Sequence, residues 1–210
     1  MKNNNCTIYL VRHGKTDWNK QSIIQGHTDI PLNTEGEKEA KELAKELNSI
    51  KFDGFFSSDL LRAKKTAEII AKEHSLAVET TKALRERYFA DLEGKPAKRL
   101  KEISKTISEL EESKRFSYKH HPLVESDGEL MSRFVTFLRE IAVANSGKTI
   151  LVVTHGGVIR VFLILLGFLT HESDVRIGNL SYLKLESDGV DFFITETKGI
   201  DIKSEEIENI

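Results

Sequence analysis

Residues 6–14 read Cys-Thr-Ile-Tyr-Leu-Val-Arg-His-Gly, an apolar run that ends in two basic side chains and a glycine. Consecutive β-branched and apolar residues, without alternating polar positions, are typical of a strand that is buried on both faces. Residues 149–157, Thr-Ile-Leu-Val-Val-Thr-His-Gly-Gly, repeat this arrangement near the other end of the chain. Because doubly buried strands occur in parallel sheets covered by helices, these two stretches predict an α/β fold.

The rest of the chain alternates between further strand and helix patterns. Residues 34–37 (Thr-Glu-Gly-Glu) and 126–129 (Ser-Asp-Gly-Glu) have the spacing of a capping box, and residues 57–59 (Ser-Ser-Asp) have helix-start chemistry. The region 96–117 is expected to be helical and highly charged. The remaining strands are predicted at residues 52–56, 77–80, 181–185 and 191–195, with a hairpin turn at Ser187-Asp188-Gly189. This order predicts a mostly parallel sheet.

Length and composition limit the class of protein. The 210 residues carry a formal net charge of −2 and one cysteine. The near-zero charge argues against nucleic-acid or membrane partners, and the lone Cys6 rules out an intrachain disulfide. The N-terminal apolar run is too short for a signal peptide, and the longest apolar stretch, residues 161–169, is too short to span a membrane. We therefore expect one cytoplasmic domain over residues 1–210, with a C-terminal acidic tail that frays.

Chemically active side chains follow the predicted strands. Arg12 and His13 end the first strand, Arg62 lies just after the second, Glu86 follows the third, and His155 with Gly156 ends the late strand. Ligands of open α/β sheets bind outside the carboxyl ends of the strands. The sequence therefore predicts that these side chains meet at one edge of the sheet.

This set of side chains suits phosphoryl transfer. Guanidinium groups match phosphate oxygens, and helix N-termini favour anions. A neutral imidazole can attack phosphorus, while a carboxyl group protonates the leaving oxygen. A single histidine at a strand end is more often structural, so the prediction depends on the combination. A metal site is disfavoured because two arginines would repel the cation and no cluster has ligand spacing.

Five stretches resemble motifs of the histidine phosphatase superfamily, in its phosphoglycerate mutase-like branch. They are Leu10-Val11-Arg12-His13-Gly14-Lys15-Thr16-Asp17-Trp18-Asn19, Gln25-Gly26-His27-Thr28-Asp29-Ile30-Pro31-Leu32-Asn33-Thr34-Glu35-Gly36, Ser57-Ser58-Asp59-Leu60-Leu61-Arg62-Ala63, Leu84-Arg85-Glu86-Arg87-Tyr88-Phe89-Ala90-Asp91-Leu92-Glu93-Gly94 and Val153-Thr154-His155-Gly156-Gly157-Val158-Ile159-Arg160. Together they cover nearly the whole chain in the order of the family.

The resemblance implies a three-layer α/β/α fold with a mostly parallel central sheet of about six strands. It implies a phosphohistidine on His13 and a proton donor at Glu86, with no metal and no organic cofactor. The phosphate pocket would be completed by Arg12, Arg62 and His155, and further contacts to phosphate or substrate would come from Asn19, Gln25, Gly26 and Gly156. Two positions depart from the family pattern: Lys15 replaces a common acidic residue, which would add positive charge beside the pocket, and Ala90 replaces a frequent glycine near Glu86.

Three functions remain open on the sequence. The first is a phosphomonoester hydrolase of the histidine acid type that acts on a small phosphorylated metabolite. The second is a 2,3-bisphosphoglycerate-dependent phosphoglycerate mutase, an isomerase. The third is a non-catalytic binding protein with the same fold. The compact region between Gly94 and Ser126, with only two prolines, and the form of the motif at residues 154–160 favour the hydrolase.

Substrate specificity is expected to lie in residues 95–125, folded over the pocket as a lid. The charged candidates for contact with a second anionic group are Lys95, Lys98, Arg99, Lys119, His120 and His121, and the aromatic candidates are Phe116 and Tyr118. A charged helical face that only meets water is the alternative. The oligomeric state, monomer or homodimer, is not legible in the sequence.

Overall fold

The computed structural model describes residues 4–202, and within them six strands form one sheet. The strands are β1 (Cys6–Arg12), β2 (Gly54–Ser58), β3 (Val78–Thr81), β4 (Thr149–Thr154), β5 (Val175–Ser187) and β6 (Phe192–Ile202). Their order in the sheet is β3-β2-β4-β1-β5-β6. The pairs β2·β3, β2·β4 and β1·β4 are parallel, whereas β1·β5 and β5·β6 are antiparallel. The predicted sheet of about six mostly parallel strands is therefore confirmed.

Helices cover both faces of this sheet. They are α1 (Asp17–Lys20), α2 (Thr34–Glu46), α3 (Leu61–Lys72), α4 (Lys98–Ser108), α5 (Glu112–Arg115), α6 (Asp127–Ala144) and α7 (Gly156–Leu165), with short 3-10 turns at Leu47–Ser49, Lys82–Leu84 and Ala90–Leu92. In β1, Ile8 and Leu10 pack into the core under α6 and α7, while Tyr9 and Val11 pack into the core under α2 and α3. Alternate side chains of one strand thus enter two cores, which confirms the three-layer arrangement.

Two predicted helix starts lie elsewhere in the structure. The cap of α2 is Asn33, whose Oδ1 accepts a hydrogen bond from the amide of Gly36 at 2.8 Å, so Thr34 is already helical. Asparagine caps a helix as well as serine or threonine does, and here it lies one residue earlier. The capping box at Ser126 and Glu129 is confirmed, since each side chain accepts a bond from the backbone amide of the other residue.

The helix predicted to start at residues 57–59 begins instead at Leu61. Ser57 and Ser58 remain in β2, because pairing with the neighbouring strands β3 and β4 extends that strand to its last serine. The first amide of α3 donates to Oδ1 of Asp29 at 2.7 Å, so a distant loop residue provides the cap. Asp59 forms an ion pair with Arg85 at 2.6 Å.

The predicted helical region 96–117 contains α4 and α5, and the predicted late hairpin is β5 with β6, longer than expected in both strands. The acidic tail expected to fray, residues 203–210, lies outside the described residues. No helix within residues 4–202 combines the length and the apolarity needed to cross a membrane.

Candidate active site

The sheet brings the two histidine motifs together at one edge. Strands β1 and β4 are adjacent, and the amide of His13 donates to the carbonyl of Thr154 at 3.0 Å. The rings of His13 and His155 are consequently 5.2 Å apart between centroids, although 142 residues separate them in sequence. The parallel pairing of β1 with β4 thus places the two histidines side by side, as the sequence predicts.

The hydrogen bond of His13 determines its tautomer. Nδ1 lies 2.7 Å from the carbonyl oxygen of Gly14. Because a carbonyl can only accept, Nδ1 carries the proton and donates it, and Nε2 keeps its lone pair. The ring is 3 % exposed. His13 therefore presents an unprotonated nitrogen at the end of β1.

Two guanidinium groups flank this imidazole, that of Arg62 buried and that of Arg12 partly buried. Arg62, in the first turn of α3, donates to the carbonyls of Gly26 at 2.7 Å and Thr28 at 3.0 Å, and Arg12 donates to the carbonyl of Ile177. The Nε atoms of both arginines lack a hydrogen-bond partner in residues 4–202, and neither arginine forms an ion pair with a carboxylate there. Buried charges are normally paired, so this arrangement is suited to an anionic ligand.

The electrostatics keep both histidines neutral. Burial, followed by the charges of Arg62 and Arg12, lowers the pKa of His13 well below its usual 6.5. Burial and the charge of Arg62 likewise hold the pKa of His155 well below that value. Burial lowers the pKa of Arg62 to about 10, so its guanidinium still carries a charge at neutral pH. The site therefore places neutral imidazoles in a positive environment.

Glu86 reaches the same site from the loop after β3. One carboxylate oxygen accepts from the amide of Gly157 at 2.9 Å, in the first turn of α7, and the other accepts from the amide of Arg87 at 2.9 Å. A Cβ atom at position 157 would lie 2.5 Å from Oε1 of Glu86, so this contact requires glycine. The Glu86 carbonyl also accepts from His27 at 2.8 Å and from Arg133 at 3.0 Å. Glu86 is thus held through both its backbone carbonyl and its side-chain carboxylate.

The remaining predicted residues surround the opening of the site. Asn19 is the third residue of α1, and its Oδ1 accepts from the amide of Thr16 at 3.0 Å, which leaves its amide group as the donor for a ligand. Gln25 is buried and accepts from the hydroxyl of Thr16 at 3.1 Å. Gly26 adopts a φ of +53°, and a Cβ there would lie 2.1 Å from Oε1 of Glu93.

These side chains line a cleft of about 390 Å³. Eight of the nine predicted site residues lie in its wall: Arg12, His13, Asn19, Gln25, Gly26, Arg62, Glu86 and Gly156. The ninth, His155, is fully buried against the ring of His13 and does not line the cleft. No group of three or more residues that could ligate a metal occurs within residues 4–202.

Two expected sources of positive charge do not line the cleft. Lys15 does not line the cleft; its ammonium group pairs with Glu35 and Glu39 on α2. Of residues 95–125, only Ala97 and Leu100 line the cleft, and none of the predicted specificity residues does. Lys95, Arg99 and His120 line a different pocket.

Several contributors were missed by sequence reasoning. Trp18, Phe89 and Ile177 line the cleft, and Asn179 donates to the carbonyl of His13 at 3.0 Å. The carboxylate of Glu93 accepts from the amides of residues 27, 28 and 89 and so holds the Gln25–Asp29 loop beside Arg62. The stretch Phe89 to Gly94 matched a family motif, which was the available signal for Phe89 and Glu93. Nothing in the local pattern distinguished Asn179.

Ala90, which replaces a frequent glycine of the family pattern, adopts a left-handed conformation with φ of +50°. This region favours glycine, and an alanine there costs about 1–2 kcal/mol. The turn Ala90–Leu92 still connects Phe89 to Glu93 and leaves Glu86 in contact with α7. Alanine at this position therefore strains the backbone without changing the position of Glu86.

Comparison with known proteins identifies relatives. A family model described as histidine phosphatase superfamily (branch 1) matches residues 8–198. The phosphatase PhoE of Bacillus subtilis, described as uncharacterized, is 36% identical over 156 residues, which is 74% of this chain and 75% of the relative. The phosphoglycerate mutase-like protein 4 of Arabidopsis thaliana is 40% identical over 155 residues, which is 73% of this chain and 67% of the relative.

Solved structures agree with this family match. The structure of YhfR from Bacillus stearothermophilus superposes with a TM-score of 0.78 and 26% sequence identity. The alignment covers 92% of this chain and 96% of that one.

Proposed function

The chain belongs to branch 1 of the histidine phosphatase superfamily, and from that premise we propose that it is a phosphomonoester hydrolase acting on a small phosphorylated metabolite. One observation carries the proposal. The unprotonated Nε2 of His13 lies in a cleft with the guanidinium groups of Arg12 and Arg62. The Nε atoms of both are buried without a hydrogen-bond partner, and neither arginine forms an ion pair with a carboxylate in the described chain. A phosphate dianion would supply the missing charge and accept their hydrogen bonds.

In the first step, Nε2 of His13 attacks the phosphorus atom, and the bond from phosphorus to the ester oxygen breaks. The guanidinium groups of Arg12 and Arg62 neutralise the charge on the transferred group, with further hydrogen bonds from Asn19 and from the amide of Gly156 at the start of α7. Glu86 in its acid form gives its proton to the leaving oxygen, so the alcohol departs neutral. The product of this step is a phosphohistidine.

In the second step, water attacks the phosphorus of the phosphohistidine while Glu86, now a carboxylate, takes up the proton of that water. The bond from nitrogen to phosphorus breaks, inorganic phosphate leaves, and Nε2 regains its lone pair. His155 stays neutral beneath His13 and limits the positions that the reacting ring can adopt. All atoms and protons balance without a metal or an organic cofactor.

We also propose that it is a phosphatase of the histidine acid type, in a single domain over residues 1–210. The segment 95–125, in which Ala97 and Leu100 line the cleft, stays our candidate for the lid that determines specificity. Small phosphorylated compounds are its proposed partners. A cytoplasmic location remains a prediction from the sequence.

Replacing the nucleophile tests the proposal. We expect phenyl phosphate to be hydrolysed in the presence of a metal chelator, and His13→Ala to abolish this activity. The matched control is His121→Ala, which removes a histidine outside the cleft and should leave the rate unchanged. Rapid acid-free quenching with labelled substrate should trap an acid-labile phosphoenzyme in the wild type only. Unchanged hydrolysis in His13→Ala would contradict the proposal, and no hydrolysis of any phosphate by the wild type would favour a binding protein.

Phosphoglycerate mutase activity is the second candidate, because the Arabidopsis thaliana relative, which is named mutase-like, is 40% identical to this chain and PhoE is 36% identical. It requires that the phosphoryl group return to a bound glycerate rather than pass to water. Interconversion of the two phosphoglycerates, measured with the bisphosphorylated primer present, separates the two functions. Interconversion faster than phosphate release would establish the mutase.

A further inference from the structure

We infer that the leaving group of the substrate is uncharged and apolar, an inference that rests on the proposed phosphatase activity. The cleft has two regions with different chemistry. One part of its lining consists of the phosphate-binding residues, and the rest, here called the outer walls, is formed mainly by apolar side chains together with Ser22 and Arg160. The apolar residues of these walls are Trp18, Ile23, Ile24, Phe89, Ala97, Leu100, Val175 and Ile177.

These apolar walls are accessible to a ligand. Trp18, Ile23, Phe89, Leu100 and Val175 are each only partly buried, although they line a concave surface. Side chains in such a position lose water contact when an apolar group occupies the cleft, and this desolvation contributes to binding. The exposed parts of these residues belong to one continuous surface beside His13.

Backbone hydrogen bonds hold the walls in place. Ile24 exchanges backbone hydrogen bonds with the opposite segment: its amide donates to the carbonyl of Lys95 and its carbonyl accepts from Gly94, both at 2.9 Å. The amide of Ala97 donates to the carbonyl of Ser22 at 2.7 Å. The ring of Trp18 lies over Gly94, where a Cβ would be 3.6 Å from Cη2. Because the surface is held by the backbone, a ligand does not have to order it.

The outer walls offer little to a second anionic group. Arg160 is their basic residue, and its guanidinium donates to the carbonyls of His171 at 3.2 Å and Ser173 at 3.0 Å. The lysines and the arginine of residues 95–99 do not line the cleft. A carboxylate or second phosphate placed against these apolar side chains loses hydration, and among the described residues Arg160 is the single cation that the outer walls offer. The outer walls therefore favour an apolar group over a second anionic group.

A series of n-alkyl phosphates from ethyl to hexyl tests the inference. These esters have nearly the same leaving-group reactivity and differ in apolar area alone. We expect kcat/KM to rise about twofold to fourfold for each added methylene until the walls are covered. Hexyl phosphate should exceed the chain-matched 5-carboxypentyl phosphate by at least about tenfold. A flat series, or a faster reaction of the carboxylate ester, would overturn the inference.

Variants of the lining residues test whether the preference for longer alkyl chains arises in the outer walls of the cleft. Leu100→Lys should reduce the increase per methylene and raise kcat/KM for the carboxylate ester relative to hexyl phosphate. The matched control is Leu123→Lys, which changes an exposed leucine of residues 95–125 that does not line the cleft. If Leu100→Lys and Leu123→Lys behave alike, the apolar surface is not the specificity site.

The outcomes separate this inference from the proposed function. Hydrolysis of every ester with no preference for longer chains would refute the apolar leaving group and leave the phosphatase intact. Failure to hydrolyse any ester, while labelled phosphoglycerates are interconverted, would refute both.

Discussion

The side-chain amide of Asn179 donates a hydrogen bond to the backbone carbonyl of His13 over 3.0 Å, although the two residues are 166 positions apart in sequence. An irregularity in β5 makes this contact possible. The register with β6 shifts between Ile177 and Tyr182, and Leu180 adopts a left-handed φ of +58°. Bulges and strained residues of this kind concentrate at functional sites. Asn179 therefore positions the residue that we propose as nucleophile.

Removing that contact should slow catalysis. A neutral hydrogen bond contributes about 0.5–1.5 kcal/mol, so we expect Asn179→Ala to lower kcat by about twofold to tenfold with a smaller change in KM. Pre-steady-state formation of the phosphoenzyme is the measurement. Thr195→Ala, which removes a hydroxyl that donates within the β5–β6 hairpin, is the matched control and should leave kcat unchanged. A fall in thermal stability with unchanged phosphoenzyme formation would show that Asn179 is only structural.

Changing Glu86 should make the rate depend on the leaving group. Glu86→Gln keeps the size of the side chain but has no proton to donate as an acid. General acid catalysis contributes roughly 10²–10⁴-fold, so hydrolysis of alkyl phosphates should fall by about that factor. Release of 4-nitrophenolate needs little protonation, so phosphorylation of the variant by 4-nitrophenyl phosphate should remain within about tenfold of wild type.

The same variant should accumulate its intermediate. Without a base for the attacking water, Glu86→Gln should release a burst of one nitrophenolate per enzyme and then proceed slowly. Glu42→Gln is a suitable control, because that exposed carboxylate pairs with Lys38 on α2 and does not line the cleft. Equal losses for alkyl and nitrophenyl esters would exclude Glu86 as the proton donor.

Stability should decrease as the pH falls below about 6.5. Burial holds the pKa values of His13 and His155 below 6.5 in the folded chain, whereas both are near 6.5 when unfolded. Between those values the unfolded state binds protons that the folded state does not, so acid favours unfolding. Each histidine can contribute up to about 1.4 kcal/mol per pH unit in this window, and nothing above it.

Urea unfolding at pH 7.5 and at pH 5.5 measures this dependence. His155→Asn should reduce the loss of stability at the lower pH relative to wild type, since one titrating group is removed. Thr195→Ala, which changes a residue that does not titrate, is the control and should retain the wild-type slope. Identical slopes in wild type and His155→Asn would contradict the assigned environment of His155.

The strain at Ala90 should be removable. Ala90→Gly relieves about 1–2 kcal/mol of left-handed strain and costs about 0.5–1 kcal/mol in unfolded-chain entropy. We expect the free energy of unfolding to rise by roughly 0.5–1 kcal/mol, or the melting temperature by about 1–4 °C. Ser75→Gly, with φ of +55° in the turn after α3, should behave similarly. Destabilisation by Ala90→Gly alone would mean that the Ala90 side chain makes compensating contacts.

The local patterns predicted most of the framework. The strand Thr149–Thr154 and the helix after His155 lie where the sequence placed them, because continuous apolar runs and capping residues act over a few positions. The start of α3 could not be predicted in this way. Its cap comes from Asp29, 32 residues away, and pairing of β2 with its neighbours decides where the strand ends.

The same distinction between local patterns and distant contacts applies to the candidate site. The sequence by itself determined the strand ends that carry Arg12, His13 and His155, because parallel strands must bring their carboxyl ends to one edge of the sheet. Only the tertiary structure decided what surrounds them. The bulge that brings Asn179 to His13, and the choice of Leu100 rather than the neighbouring cations for the cleft wall, depend on contacts between distant segments. The periodicity of a sequence predicts which face of a helix or strand is apolar, but it does not predict how one element packs against another.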